Sequence, residues 1–191
     1  MPGAAGEGIP ADALVVGSVA RLARQKRFDR LLRALALLPE PVHCLIVGEG
    51  EEREPTRAFA AGLGMAERVH LPGFRSDVGD VLDAMDLFAV SSDREGLANA
   101  MLEAMAFGLP VVSTDVSGAR EALEPGGDGV APGVVVGFDD DALVGSIADL
   151  LADDGRRLAM GQAARRVAEE RFGWERFVDE WERLLASGAR R

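Results

Sequence analysis

The chain has 191 residues, 48% of them hydrophobic and 28% charged, enough for one globular domain with a sizeable core. Its net charge of −11 opposes nonspecific binding to nucleic acid or to anionic membrane surfaces, which reward clustered Lys and Arg. The apolar runs fall far short of the ~18–20 residues that span a bilayer, and the start MPGAAGEG lacks the basic and apolar stretches of a signal peptide, so no transmembrane segment and a cytoplasmic location are expected.

After a Gly- and Pro-containing lead over residues 1–12, strand and helix patterns alternate, which predicts a doubly wound parallel sheet with helices on both faces. Ala13 to Ala20 reads as a strand and Arg27 to Leu38 as a helix closed by Pro39 and Pro41. Val42 to Val47 is the next strand, ended by Gly48-Glu49-Gly50. Glu52 to Leu63 is the next helix, with Pro55 tolerable only in its first turn. Val69 to Leu71 (strand), Asp77 to Met85 (helix), Leu87 to Val90 (strand) and Ala98 to Phe107 (helix) follow. Then come Val111 to Thr114 (strand), Ala119 to Leu123 (helix) and Val134 to Val136 (strand), the last lying in an irregular segment, Pro125 to Phe138. The final third is helical: Asp141 to Leu151, Gly155 to Arg171, and Trp174 to Leu185. Trp174, Phe177, Val178 and Trp181 share a face of that last helix, either as core or as a surface for a second domain.

Three features carry chemistry. The first is Ser91 to Phe107, SSDREGLANAMLEAMAF, where a loop bearing Glu95 turns into a helix bearing Glu103. The opening amides of a helix lack intrahelical partners and sit at the positive end of its dipole, so an anion fits there. Helical spacing puts Asn99 and Glu103 on one stripe, opposite an apolar stripe of Ala98, Met101, Leu102 and Met105. The second is Arg21 to Arg33, RLARQKRFDRLLR, with six basic residues against one acid and the only lysine of the chain, Lys26. Arg30 and Arg33 read as a solvated helix face. Arg21 and Lys26 instead fall in a strand-to-helix connection, where open α/β sheets bind ligands; the alternatives are an anionic ligand and incidental surface charge. The third feature is negative. His43 and His70 stand alone in strand patterns and read as structural, Cys44 reads as a buried inert thiol, and no metal-ligand cluster is apparent. Two carboxylates, a helix mouth and two cations on one rim outline a site for a nucleotide-sugar.

The segments Glu95 to Met105, EGLANAMLEAM, then Gly108-Leu109-Pro110-Val111-Val112 and Thr114-Asp115, resemble the signature of the retaining glycosyltransferases of family 4, which have the GT-B fold. Further matching pieces in the same order are Arg21-Leu22 with Gln25-Lys26, Val47-Gly48-Glu49-Gly50, Gly73-Phe74-Arg75 with Asp77-Val78, Ala84 to Asp86, and Phe172-Gly173-Trp174. The resemblance covers nearly the whole chain but only the C-terminal, donor-binding half of such enzymes, over residues 13–191. It implies that Arg21 and Lys26 bind the donor diphosphate and stabilise the departing nucleotide. It further implies that Glu95 contacts the donor sugar, that Gly96, Leu97 and Ala98 give amides to sugar and phosphate, that Glu103 binds the ribose hydroxyls, and that Gly73, Phe74 and Arg75 line the base site. Arg21, Lys26 and Glu95 are thus the expected catalytic set. The implied substrate is a UDP- or GDP-sugar, with no metal or cofactor required, and the implied partner is an N-terminal acceptor domain, absent here, which would carry any membrane contact. The isolated chain is then expected to bind donor with negligible turnover; the alternative is a stand-alone nucleotide-sugar binding subunit that pairs with a separate acceptor-binding chain. Three positions depart from the family's pattern: Ala20 stands where glycine commonly precedes the arginine, Arg27 follows the lysine where glycine is frequent, and Ser91 replaces a common proline.

Overall fold

The computed structural model describes residues 8–38, 42–174, 176, 178 and 181–183. The apolar runs form strands β1 (Leu14–Val19), β2 (Val42–Val47), β3 (Val69–Gly73), β4 (Leu87–Val90), β5 (Val111–Thr114) and β6 (Gly133–Val136). Between and after them lie α1 (Phe28–Ala36), α2 (Arg53–Gly62), α3 (Val78–Asp83), α4 (Asn99–Ala106), α5 (Ala119–Ala122), α6 (Asp140–Ala152) and α7 (Asp154–Phe172). The strands pair in the order β3-β2-β1-β4-β5-β6, every ladder parallel. Sequence order reverses between β1 and β4, the switch point where such sheets leave a crevice beyond the carboxyl ends of their strands.

Both faces of the sheet are covered, which is why its inner strands are apolar runs rather than alternating patterns. β2, β4 and β5 are buried at every position. Along β4, Leu87 and Ala89 enter a core with Leu31, Leu35, Leu143 and Ile147 of α1 and α6. Phe88 and Val90 enter the opposite core with Leu82, Met101, Met105 and Val167 of α3, α4 and α7. Pro55 falls in the first turn of α2, where its missing N–H costs no hydrogen bond. β6 opens on Gly133, where a side chain would run into the Val111 carbonyl of the neighbouring strand.

The structure departs from the sequence expectation in three places. His43 and His70 do not stand alone: β2 and β3 are neighbours, and the rings stack 5.2 Å apart with Nδ1 of His43 2.9 Å from Nε2 of His70. Arg30 does not solvate its helix; it is buried, at 4% exposure, for reasons given below. Of the two alternatives for the aromatics after Gly173, core does not hold for Trp174, 75% exposed, or Trp181, 51% exposed, where the chain leaves α7 through the extended backbone of Gly173. Pro39, Pro41, Phe177 and Leu185 lie outside the described residues. Cys44 is fully buried, and burial pushes its thiol up to about 12, as an inert core thiol requires. No helix of the described residues is long and apolar enough to cross a membrane.

Candidate functional site

At the switch point the chain leaves β1 through Arg21, a short 3-10 turn at Arg24–Lys26, and Arg27, then enters α1. It leaves β4 through Ser91, Ser92, Asp93 and Glu95 before α4 begins. Lys26 and Glu95, 69 residues apart in sequence, meet there: Nζ lies 2.5 Å from Oε1, with side chains only 19% and 11% exposed. Ser92 donates its hydroxyl to the same Oε1 at 2.6 Å. Both contacts thus fall on Oε1, leaving Oε2 as an acceptor, and Lys26 keeps two of its three donors.

The two loops are stitched by backbone contacts as well. The Asp93 amide donates to the Gln25 carbonyl at 2.9 Å. The Ser91 hydroxyl donates to the Lys26 carbonyl at 2.8 Å, a bond that the common proline could not make. Thr114, at the end of β5, donates to the Ser92 carbonyl at 2.7 Å and so supports the loop from the next strand. A cavity of about 240 Å³ opens over the pair, lined by Ser18, Lys26, Ser92, Glu95, Ala98 and Asn99 among others. The Ala98 N-cap makes no side-chain cap bond and no acid occupies the first turn of α4, so that helix presents bare opening amides to the cavity.

The remaining candidate residues are spread along the same rim. Arg21 leans outward, donating to Glu51 at 3.1 Å with its side chain 74% exposed, and does not line that cavity. Gly48, at φ 141°, and Gly50 press against the backbone after β1, where side chains would strike the Ala20 and Leu22 carbonyls. Gly73 accepts the Gly48 amide at 2.9 Å, Phe74 is exposed, and Arg75 binds Asp77 with both forks at 2.7 and 2.5 Å. That contact with Arg75 holds the Asp77 carboxyl down at about 2. Gly96 and Leu97 are exposed in the loop, and Glu103 lies on the exposed side of α4, outside the cavity lining.

One element escapes sequence reading, because two of its members, Asp93 and Asp140, lie far from its arginines in the chain. Arg27, Asp93, Arg30, Asp140, Arg33 and Asp29 close a ring of alternating charges. Arg27 Nη1 donates to Asp93 at 3.1 Å and Arg30 Nη2 donates to Asp93 at 3.0 Å. Arg30 Nε lies 3.5 Å from Asp140, and Arg33 spans Asp140 at 2.8 Å and Asp29 at 2.9 Å. Asp29 returns to Arg27 through two bonds of 2.9 and 3.1 Å. Arg30 also donates to the Ser91 carbonyl at 2.8 Å, so both Nη atoms of its buried guanidinium are hydrogen-bonded, while Nε has only the ion-pair contact with Asp140. Burial would raise Asp93, but hydrogen bonds from Arg27 and Arg30 outweigh it and lower its carboxyl. Arg27 itself is the one non-glycine at positive φ among the described residues, at φ 51° and ψ 45°. Among the described residues no group of three or more His, Cys, Asp or Glu could hold a metal ion.

Residues 4–167 match the family model described as Glycosyl transferases group 1. The chain is 35% identical over 178 residues, covering 93% of this chain and 51% of the relative, to the lipopolysaccharide core biosynthesis glycosyltransferase LpsE of Rhizobium meliloti. It is 38% identical over 175 residues, covering 85% of this chain and 45% of the relative, to the GDP-mannose-dependent alpha-(1-6)-phosphatidylinositol monomannoside mannosyltransferase of Mycolicibacterium smegmatis. The crystal structure of Anabaena Alr3699/HepE in complex with UDP is similar with a TM-score of 0.88 at 28% identity, over 96% of this chain and 51% of that one. The chain spans about half the length of the curated relatives it matches.

Proposed function

The chain belongs to the glycosyl transferases group 1 family, and on that premise we propose that it is the donor-binding half of a retaining family 4 glycosyltransferase of the hexosyltransferase kind. It takes a nucleotide-diphosphate sugar; the observation that carries this is the Lys26–Glu95 pair beside the uncapped start of α4 at the switch point. The similarity to HepE, whose complexes hold UDP and UDP-glucose, supports a nucleotide-sugar ligand. The relative named for GDP-mannose makes the choice of base a matter for direct test.

In the transfer, the bond from the sugar's anomeric carbon to the donor phosphate oxygen breaks, one to an acceptor hydroxyl oxygen forms on the same face, and the hydroxyl proton passes to the departing diphosphate. Negative charge gathers on the departing diphosphate. Lys26 and the opening amides of α4 are fixed donors that gain strength as that charge grows, so they stabilise the transition state more than the bound donor, and the exposed Arg21 joins them by turning from Glu51 toward the diphosphate. Glu95, anchored through Oε1, offers Oε2 to a hydroxyl of the donor sugar. Glu103 accepts from the ribose hydroxyls, Gly96, Leu97 and Ala98 supply amides, and Gly73, Phe74 and Arg75 receive the base largely through backbone. No metal ion is needed in this scheme. The acceptor site belongs to an N-terminal domain beyond this chain, so residues 1–191 alone bind donor with negligible turnover.

Thermal unfolding with UDP, GDP and ADP tests the reading. A ligand at 100 times its dissociation constant adds about 2.7 kcal/mol and a rise of several degrees. One nucleotide should produce that rise, and Lys26→Ala and Glu103→Ala should each diminish it. A chain that no nucleotide stabilises would sink the donor-site reading, and turnover by residues 1–191 at the rate of intact enzymes would sink the half-enzyme reading.

A further inference from the structure

We propose that Arg27 is a positioning residue, a strap that carries the β4–α4 loop on the β1–α1 loop so that Glu95 stays against Lys26. The inference rests on the donor-site reading above.

Arg27 keeps the left-handed backbone for which glycine is suited, at φ 51°. What glycine could not supply is the side chain. The Arg27 guanidinium reaches forward to Asp29 with Nε at 2.9 Å and Nη2 at 3.1 Å, and across to both oxygens of Asp93 at 3.1 Å. Asp93 lies two residues before Glu95, and Arg27 directly follows Lys26, so the strap joins positions within two residues of the paired ones. Its far end is fixed: Arg30, with a side chain 5% exposed, also bonds Oδ1 of Asp93 and donates to the Ser91 carbonyl. Three arginines and three aspartates balance in the ring, so it adds no net charge to the rim. Its effect on an anionic ligand is therefore geometric.

The strap and a plain stabilising ion pair differ in what Arg27→Gly does. Glycine relieves the left-handed backbone while removing the ion pairs, two opposing effects on stability. The melting temperature of Arg27→Gly should accordingly stay within a few degrees of the parent chain. Amide hydrogen exchange at Asp93, whose N–H donates to Gln25, should accelerate. Affinity for whichever of UDP, GDP and ADP stabilises the parent chain should fall about tenfold. Asp93→Asn should repeat the loss of affinity but with lower stability, since it strips the charge partner of buried Arg30.

Unaccelerated exchange at Asp93 in Arg27→Gly would overturn the strap. Accelerated exchange with unchanged nucleotide affinity would overturn it too, since the ion pairs would then serve stability alone. The two readings fail separately: absence of nucleotide binding by the parent chain overturns the donor site, whereas the exchange rate judges the strap whether or not a nucleotide binds.

Discussion

Asp29 lies between two arginines, and the balance on its carboxyl has a measurable consequence. Burial pushes it up, but hydrogen bonds from Arg27 and Arg33 outweigh burial and bring it down to about 2 from an ordinary 3.8. A depressed carboxyl pKa gives stability that is fully present above the unfolded value and is lost as pH falls through the folded one. The loss from Asp29 should therefore fall between about pH 4 and about pH 2, and salt should reduce it because the carboxylate is partly exposed. Urea midpoints of Asp29→Asn should flatten across that window relative to the parent chain; an identical acid limb would remove Asp29 from the account. At this scale the sequence identifies charge and not partnership. The placing of Lys26 and Glu95 just beyond the ends of strands could be read from the apolar runs around them. The burial of Arg30 could not, because the Ser91 carbonyl and the Asp93 carboxylate that satisfy it lie 61 and 63 residues away in sequence.

Helix α4 shows how an element divides its labour. Met101, Ala104 and Met105 are fully buried while Glu103 is exposed between them. Met105→Ala should cost about 2–4 kcal/mol by leaving a cavity, whereas Glu103→Ala should leave the urea midpoint nearly unchanged; equal effects would mean that the helix does not separate packing from binding. The stripe of Met101 and Met105 was legible from 3.6-residue spacing. Ala104 was not, because α7 packs on α4 and widens the buried stripe beyond the part a sheet alone would cover. Strands were the most legible elements: Val42–Val47, Leu87–Val90 and Val111–Thr114 coincide with their apolar runs, since strands buried on both faces have no polar side to blur them. β6 was read one residue short, because a glycine chosen for close approach to β5 carries no strand signal. The 3-10 turn at Arg24–Lys26 went unread, being too short for any periodicity.

On the scale of the whole molecule, sheet order 3-2-1-4-5-6 was not read from the sequence, which supports only a doubly wound parallel class. Strand neighbours follow from which helix crosses which face, and apolar runs do not record that. This order also sets a timetable. As the chain leaves the ribosome, β1 can pair with β2 as soon as β2 emerges, but its other edge stays open until Leu87–Val90 arrives. The crevice lies along this β1–β4 seam, so the ligand site can exist only after that slow, long-range pairing. Refolding from denaturant should then show helical signal in the far ultraviolet first and nucleotide capture later; simultaneous recovery would mean that β1 and β4 meet from the start. Occupancy of the crevice thereby certifies that the two halves of the sheet have joined, and a saturating nucleotide would act as a latch on the seam between them.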